Sequence, residues 1–192
     1  MNVRFRPDPA PADVDGLTRR RFSVAEVEAM QRAGLLEDER FELIDGEIVS
    51  VQAKNFPHER VKLALMETLV AALPRHWRVG VETTLYLDDD TLVDPDISIL
   101  PRALDTDKAR GPDIALVIEV AASTLAKDRG PKARLYARCG VSEYWVIDVE
   151  GARTIRHRGP VGEEWTSVEI LAADAELTHA AATGWSFRLD AI

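Results

Sequence analysis

Apolar positions along this chain fall into two alternating rhythms. From Ser23 the spacing predicts a short helix, with Ser23 as N-cap, Glu26 completing a capping box three residues on, and Gly34 as the stop. In "RFELIDGEIVSV" the period drops to two, and Asp45-Gly46 divides the alternating runs in the manner of a two-residue β-hairpin. Helical spacing returns after Pro57-His58 with Val61, Leu65, Met66, Leu69 and Leu73, and Pro74 ends it. Strand-like runs at 78–87 and 92–100 are joined by the acidic turn Asp88-Asp89-Asp90. A polar loop over 101–112 leads to the most apolar strand, and a helix at about 128–139 ends at Gly140. "EYWVIDV" (143–149) is a further apolar strand, and beyond Arg153, Arg156 and Arg158 the alternation predicts two or three more at the sheet edge.

This order predicts an α/β fold, a mixed central sheet flanked by helices and preceded by an N-terminal helix and a β-hairpin. The strand-helix-strand step from 114 to 149 calls for a right-handed crossover, so those two strands should run parallel. Residues 1–20 lack periodicity and read as a mobile arm, which leaves 21–192 as one domain. No internal repeat interrupts it.

Composition narrows the function classes. No apolar run approaches the ~20 residues of a membrane-spanning helix and the N-terminus lacks a signal-peptide core, so a cytoplasmic protein with no membrane partner is expected. A single cysteine, Cys139, rules out a disulfide framework and a multi-cysteine zinc site, and the four histidines are scattered. The net charge of −9 argues against coating nucleic acid by bulk electrostatics, while leaving room for a local basic cleft.

The chemistry concentrates around "IALVIEVAAS" (114–123), where Glu119 interrupts an apolar strand. A buried carboxylate must be neutralised, paired or bound to metal. Strand parity sets Asp94, Asp96 and Ser98 on one face of "VDPDISIL" and Glu119 on the face of Ala115, Val117 and Ala121, so Asp96 and Glu119 meet if the strands adjoin. On a helical wheel Lys132 falls among Leu135, Tyr136 and Cys139 on the core-facing stripe, whereas Arg134 and Arg138 point away. Its long stem could carry an ammonium back to the carboxylates. Lys127 is the rival, and Asp128 reads as an N-cap or first-turn acid. Cys139, Tyr144 and Trp145 read as core. On the residues alone, Glu119 with Lys132 serves equally as an internal salt bridge or as part of a reaction centre. A metal-independent hydrolase with Asp96 and Glu119 as acid and base is a further reading, and it would need an aromatic-walled cleft that 6% aromatic residues hardly furnish.

Together "RFELIDGEIV" (40–49), His58, "VDPDISIL" (93–100) and "VIEVAASTLAKDRGPKARLYARCGVSEYWVID" (117–148) resemble the Uma2-like (DUF820) branch of the PD-(D/E)xK nuclease superfamily, from about Arg21 to Asp148. The resemblance implies a restriction-endonuclease-like fold and hydrolysis of DNA phosphodiesters with Mg²⁺ or Mn²⁺. By it, Asp96, Glu119 and the backbone carbonyl of Val120 are the implied metal ligands and Lys132 the catalytic cation, with Glu47, His58 and Lys127 as outer contacts. Two positions depart from the pattern: Ala121 stands where E-x-K has lysine, so a lysine from the next helix is implied, and Ala122 stands where a polar residue is expected. Cutting both strands of a duplex favours a homodimer. An inactive relative retaining the fold as a DNA- or protein-binding module is the alternative.

Overall fold

Ser23 opens the first helix as expected in the computed structural model, which describes residues 20–36, 40–51, 56–121 and 124–192. The arm expected over 1–20 lies outside the described residues except for Arg20, as does Ala122. In α1 (Val24–Arg32) the Ser23 hydroxyl accepts from the Glu26 N–H at 3.3 Å, and the Glu26 carboxylate accepts from the Ser23 N–H at 3.0 Å. Gly34 follows in the left-handed region, φ 76°. Strands β1 (Phe41–Ile44) and β2 (Glu47–Ser50) pair across Asp45-Gly46, both with positive φ, as a primed hairpin turn requires. The long helix is α2 (Phe56–Ala72).

The runs at 78–87 and 92–100 are not single strands. The first divides into β3 (Trp77–Val81) and β4 (Leu85–Tyr86), the second into β5 (Leu92–Val93) and β6 (Ile97–Pro101). The breaks have local causes: Glu82 takes φ 46°, which turns the chain out of an extended path, and Pro95 has no N–H to give a ladder. A Glu82 N–H to Asp96 carbonyl bond of 3.3 Å ties the two breaks together. Across them the chain changes sheets. The order β2-β1-β5-β4 forms a small sheet, while β3 and β6 belong to a larger one.

Next come β7 (Leu116–Ala121), the short α3 (Leu125–Lys127), a π-helical turn (Asp128–Lys132) and α4 (Ala133–Arg138), which ends at Gly140 with φ 79°. The predicted regular helix is thus interrupted. Pro131 lacks an N–H and its ring crowds the preceding turn, and the wider π geometry accommodates it. Of the two roles expected for Asp128, it takes that of first-turn acid, as the first residue of the π turn, and not that of N-cap. Strands β8 (Glu143–Asp148), β9 (Arg153–Val161) and β10 (Glu164–Ala172) complete a sheet ordered β10-β9-β8-β7-β6-β3. Strands β7 and β8 are parallel, as the crossover requires, and the other neighbours are antiparallel.

Over its central strands β6, β7 and β8 the large sheet is buried on both faces. Ile97, Ile99, Ile118, Val120 and Trp145 pack against α2 and the C-terminal segment, where Trp185 stacks 6.3 Å from Trp145. The expectation of two or three strands after β8 is met by two, β9 and β10 at the sheet edge; beyond β10 the segment is irregular, held by a bridge between Leu177 and Phe187, and its aromatic side chains fill the core. Burying each is worth roughly 1.5–3 kcal/mol. On the opposite face Val117, Ala121, Tyr144 and Val146 meet α4 and, through Leu85, Val93 and Ile44, the small sheet. Phe41 and Leu43 point the other way, to α1. Asp96 therefore lies where the two sheets join. Among the described residues no helix is long and apolar enough to cross a membrane.

Candidate active site

The β6–β7 pairing, Ile97 opposite Ile118 and Ser98 opposite Val117, carries Asp96 and Glu119 to the same face at the sheet junction. Asp96 is buried, and its Oδ2 accepts the Val120 N–H at 2.7 Å and lies 2.9 Å from His58 Nε2 on α2. The strand that supplies Glu119 thus also fixes the rotamer of Asp96. His58 Nδ1 lies 3.2 Å from Glu59, and Glu59 and Glu82 share the buried Lys62 ammonium at 2.8 and 2.5 Å. The first turn of α2 is pinned to the bend at Glu82 in this way.

Glu119 accepts at Oε1 from Lys132 Nζ (2.8 Å) and from the Tyr136 hydroxyl (2.9 Å). No hydrogen bond from the described residues reaches Oε2. Burial pushes its carboxyl up to about 7; Lys132 opposes that rise, and Asp96, Asp128 and Glu42 reinforce it. Lys132 is buried too, and although burial disfavours its charge, Glu119 and Glu42 more than compensate and keep it protonated. Lys132 closes the π turn and is buried with Leu135 and Tyr136, on the stripe that the helical wheel gave it.

Glu42, which sequence reasoning left in the hairpin, completes the cluster from β1. It is 1% exposed, and its oxygens accept from Lys132 at 2.8 Å and from Lys127 at 3.0 Å. Burial alone would raise its pKa, but the two lysines outweigh burial and hold it below the ordinary carboxylate value. Asp128 is buried in the π turn, accepting from the Thr124 hydroxyl at 2.5 Å; burial pushes its pKa up, and Thr124 and the lysines only partly offset this. The structure thus brings Asp96, Glu119, Lys132, His58 and Lys127 together. It does not bring Glu47, which is exposed on β2 and paired with Arg21 at 3.3 Å. Arg138, predicted to point away, reaches Asp45 and Asp88 outside this cluster.

The donor set is one of hard oxygens. Four carboxylates, Glu42, Asp96, Glu119 and Asp128, face two ammoniums, Lys127 and Lys132, so with His58 neutral the ionised set carries a surplus of two negative charges. A divalent cation would neutralise it. Among the described residues no three His, Cys, Asp or Glu side chains are gathered to hold a metal by themselves. Two carboxylates and a backbone carbonyl, with water filling the remaining positions, fit the coordination habit of Mg²⁺ better than that of Zn²⁺.

A family model, Uma2, described as "Putative restriction endonuclease", matches residues 24–191 and so extends through the irregular C-terminal segment. No curated protein matches. Among solved structures, the crystal structure of "a putative nuclease belonging to DUF820" from Anabaena variabilis is 18% identical, with a TM-score of 0.63 over 80% of this chain and 89% of that one. At that identity the likeness is one of fold.

Proposed function

The chain belongs to the Uma2 family, and from that membership we propose that it is a divalent-metal-dependent endonuclease hydrolysing DNA phosphodiester bonds. The observation that carries the reading is a pair of buried carboxylates, Asp96 and Glu119, on one face of adjacent strands with the Lys132 ammonium bonded to the second. A purely structural salt bridge would need one acid for one lysine. Here two buried acids stand beside one lysine, and burial opposes the charge of Glu119 even with Lys132 bonded to it.

Asp96, Glu119 and the Val120 carbonyl would hold Mg²⁺ or Mn²⁺. When bound, such an ion polarises the scissile phosphate and lowers the pKa of a coordinated water. The remaining work falls to the protein's own groups. Lys132, protonated and buried, donates toward the attacking water or to the charge that develops on the phosphorane, in a site where little solvent competes. Lys132 takes this role ahead of Lys127 because it alone of the two bonds to Glu119. His58 and the Val120 N–H fix Asp96 at one oxygen and so orient the other.

The test is cleavage of supercoiled plasmid in Mg²⁺, Mn²⁺ or EDTA by the native chain, Glu119→Gln and Lys132→Ala. Expected is metal-dependent conversion to nicked or linear DNA, reduced about 10²-fold or more in both variants. No cleavage with either ion, or undiminished cleavage by the variants, overturns the reading.

A further inference from the structure

Glu42 is outside the metal-binding set, yet it is 1% exposed and reaches the site from a different sheet than Asp96 and Glu119. Its two oxygens are divided between two ammoniums, Lys132 on Oε1 and Lys127 on Oε2. The lysines differ in what else they do. Lys132 is 7% exposed and also bonds Glu119, whereas Lys127 is 33% exposed and, among the described residues, bonds only Glu42.

Resting on the nuclease reading, we propose that Glu42 is a positioning residue that seats Lys132 on Glu119 and presents Lys127 at the mouth of the site to a backbone phosphate of the DNA. Two ammoniums side by side repel, and a carboxylate between them converts that repulsion into a fixed spacing. A lysine stem has four rotatable bonds, so an unanchored ammonium samples many positions, while one held by a buried carboxylate is ordered before substrate arrives. Glu42 also keeps Lys132 anchored when the Glu119 carboxylate is drawn toward a cation. Lys127, a third of its side chain exposed, can turn toward a phosphate without leaving the site. The two lysines therefore have separate roles, Lys132 facing the reacting groups and Lys127 the incoming polyanion.

The experiment compares the full chain with Glu42→Gln, Glu42→Asp, Lys127→Ala and the double variant Glu42→Gln/Lys127→Ala. Glu42→Asp keeps the charge but is one methylene too short to span both lysines, and it replaces Glu42→Gln if the latter does not fold. In the first arm an amine-acylating reagent is pulsed onto the folded proteins and lysine modification is read by mass spectrometry. Lys127 should react roughly threefold or more faster in Glu42→Gln, with exposed Lys108 unchanged as the control. In the second arm DNA affinity is measured against salt with Ca²⁺ present, and single-turnover cleavage with Mg²⁺. Lys127→Ala should lower the slope of log affinity against log salt by about 1. Glu42→Gln should weaken binding in the native background but not in the Lys127→Ala background, and slow cleavage by roughly 10–100-fold in both. Unchanged Lys127 reactivity, additive binding losses or an undiminished rate each overturn the proposal. Should the native chain cut no DNA, the nuclease reading falls, and the labelling arm decides by itself whether Glu42 holds the lysines.

Discussion

Glu119 couples the stability of the protein to its chemistry. Burial favours its protonated form, so the folded chain takes up a proton between the ordinary carboxylate value of 4.5 and about 7. The sign follows: the stabilisation is fully present below 4.5 and is lost as pH rises through about 7. Glutamine mimics the neutral acid at every pH. In EDTA, Glu119→Gln should match the native chain near pH 5 and be more stable by about 1–3 kcal/mol at pH 8, while being inactive. Urea unfolding at the two pH values checks this, and an equal difference at both would sink it. Asp96 and Glu119 were legible in the sequence because strand parity is strict and an acid among isoleucines breaks an apolar pattern. Glu42 was not legible. In "FELI" it alternates with Phe41 and Leu43 as a solvated residue would, and it becomes buried because the small sheet lays that face on the large one. Glu47, chosen from the same hairpin, lies on β2 and stays in water. His58 was legible as a helix-start residue, but its contact with Asp96 depends on how α2 crosses the sheet.

At the scale of elements, the caps and turns written in a few neighbouring residues were read correctly, and the points where the chain passes from one sheet to the other were not. The Ser23–Glu26 box, the Asp45-Gly46 turn and the Gly140 stop are each written in two to four residues. The sheet switches fall on the triplets Glu82-Thr83-Thr84 and Asp94-Pro95-Asp96, which interrupt the apolar runs but carry no mark of which sheet will claim the residues on either side. The turn at Gly46 matters beyond its size, because β1 carries Glu42. Gly46 has φ 77°, and a Cβ there would lie 2.6 Å from the Arg21 Cβ and 3.0 Å from the Phe22 carbonyl. Gly162, in the β9–β10 turn, has φ 59° with open space around it. Gly162→Ala should therefore cost about 1 kcal/mol from conformation alone, and Gly46→Ala about 2–3 kcal/mol from conformation and clash together. Gly46→Ala should also reduce cleavage under conditions where it remains folded, through the displaced Glu42. Equal urea midpoints for the two variants would show that the Arg21 contact yields freely.

For the whole molecule, the order of helices and strands and the parallel β7–β8 pair followed from periodicity, whereas the C-terminal segment did not, because Trp185 and Phe187 enter the core from irregular chain. Charge is the property that ties the fold to the site. The chain carries −9 overall, and part of that surplus is locked in the sheet junction, where it opposes folding until something compensates it. A divalent cation binding there must stabilise the folded state by mass action: at ten times its dissociation constant the gain is about 1.4 kcal/mol, or roughly 3–6 °C in Tm for a domain of this size. The pH dependence identifies where the ion sits. Near pH 5 the cation competes with a proton on Glu119, so Mg²⁺ or Mn²⁺ should raise Tm at pH 8 and do so much less at pH 5. In Glu119→Gln the shift should be small at both. Calorimetric scans with and without EDTA distinguish this from binding elsewhere, because the protein has a second acidic group, the turn Asp88-Asp89-Asp90. A cation held at that turn would leave its stabilisation intact in Glu119→Gln, and this result would separate the buried carboxylates from metal binding altogether.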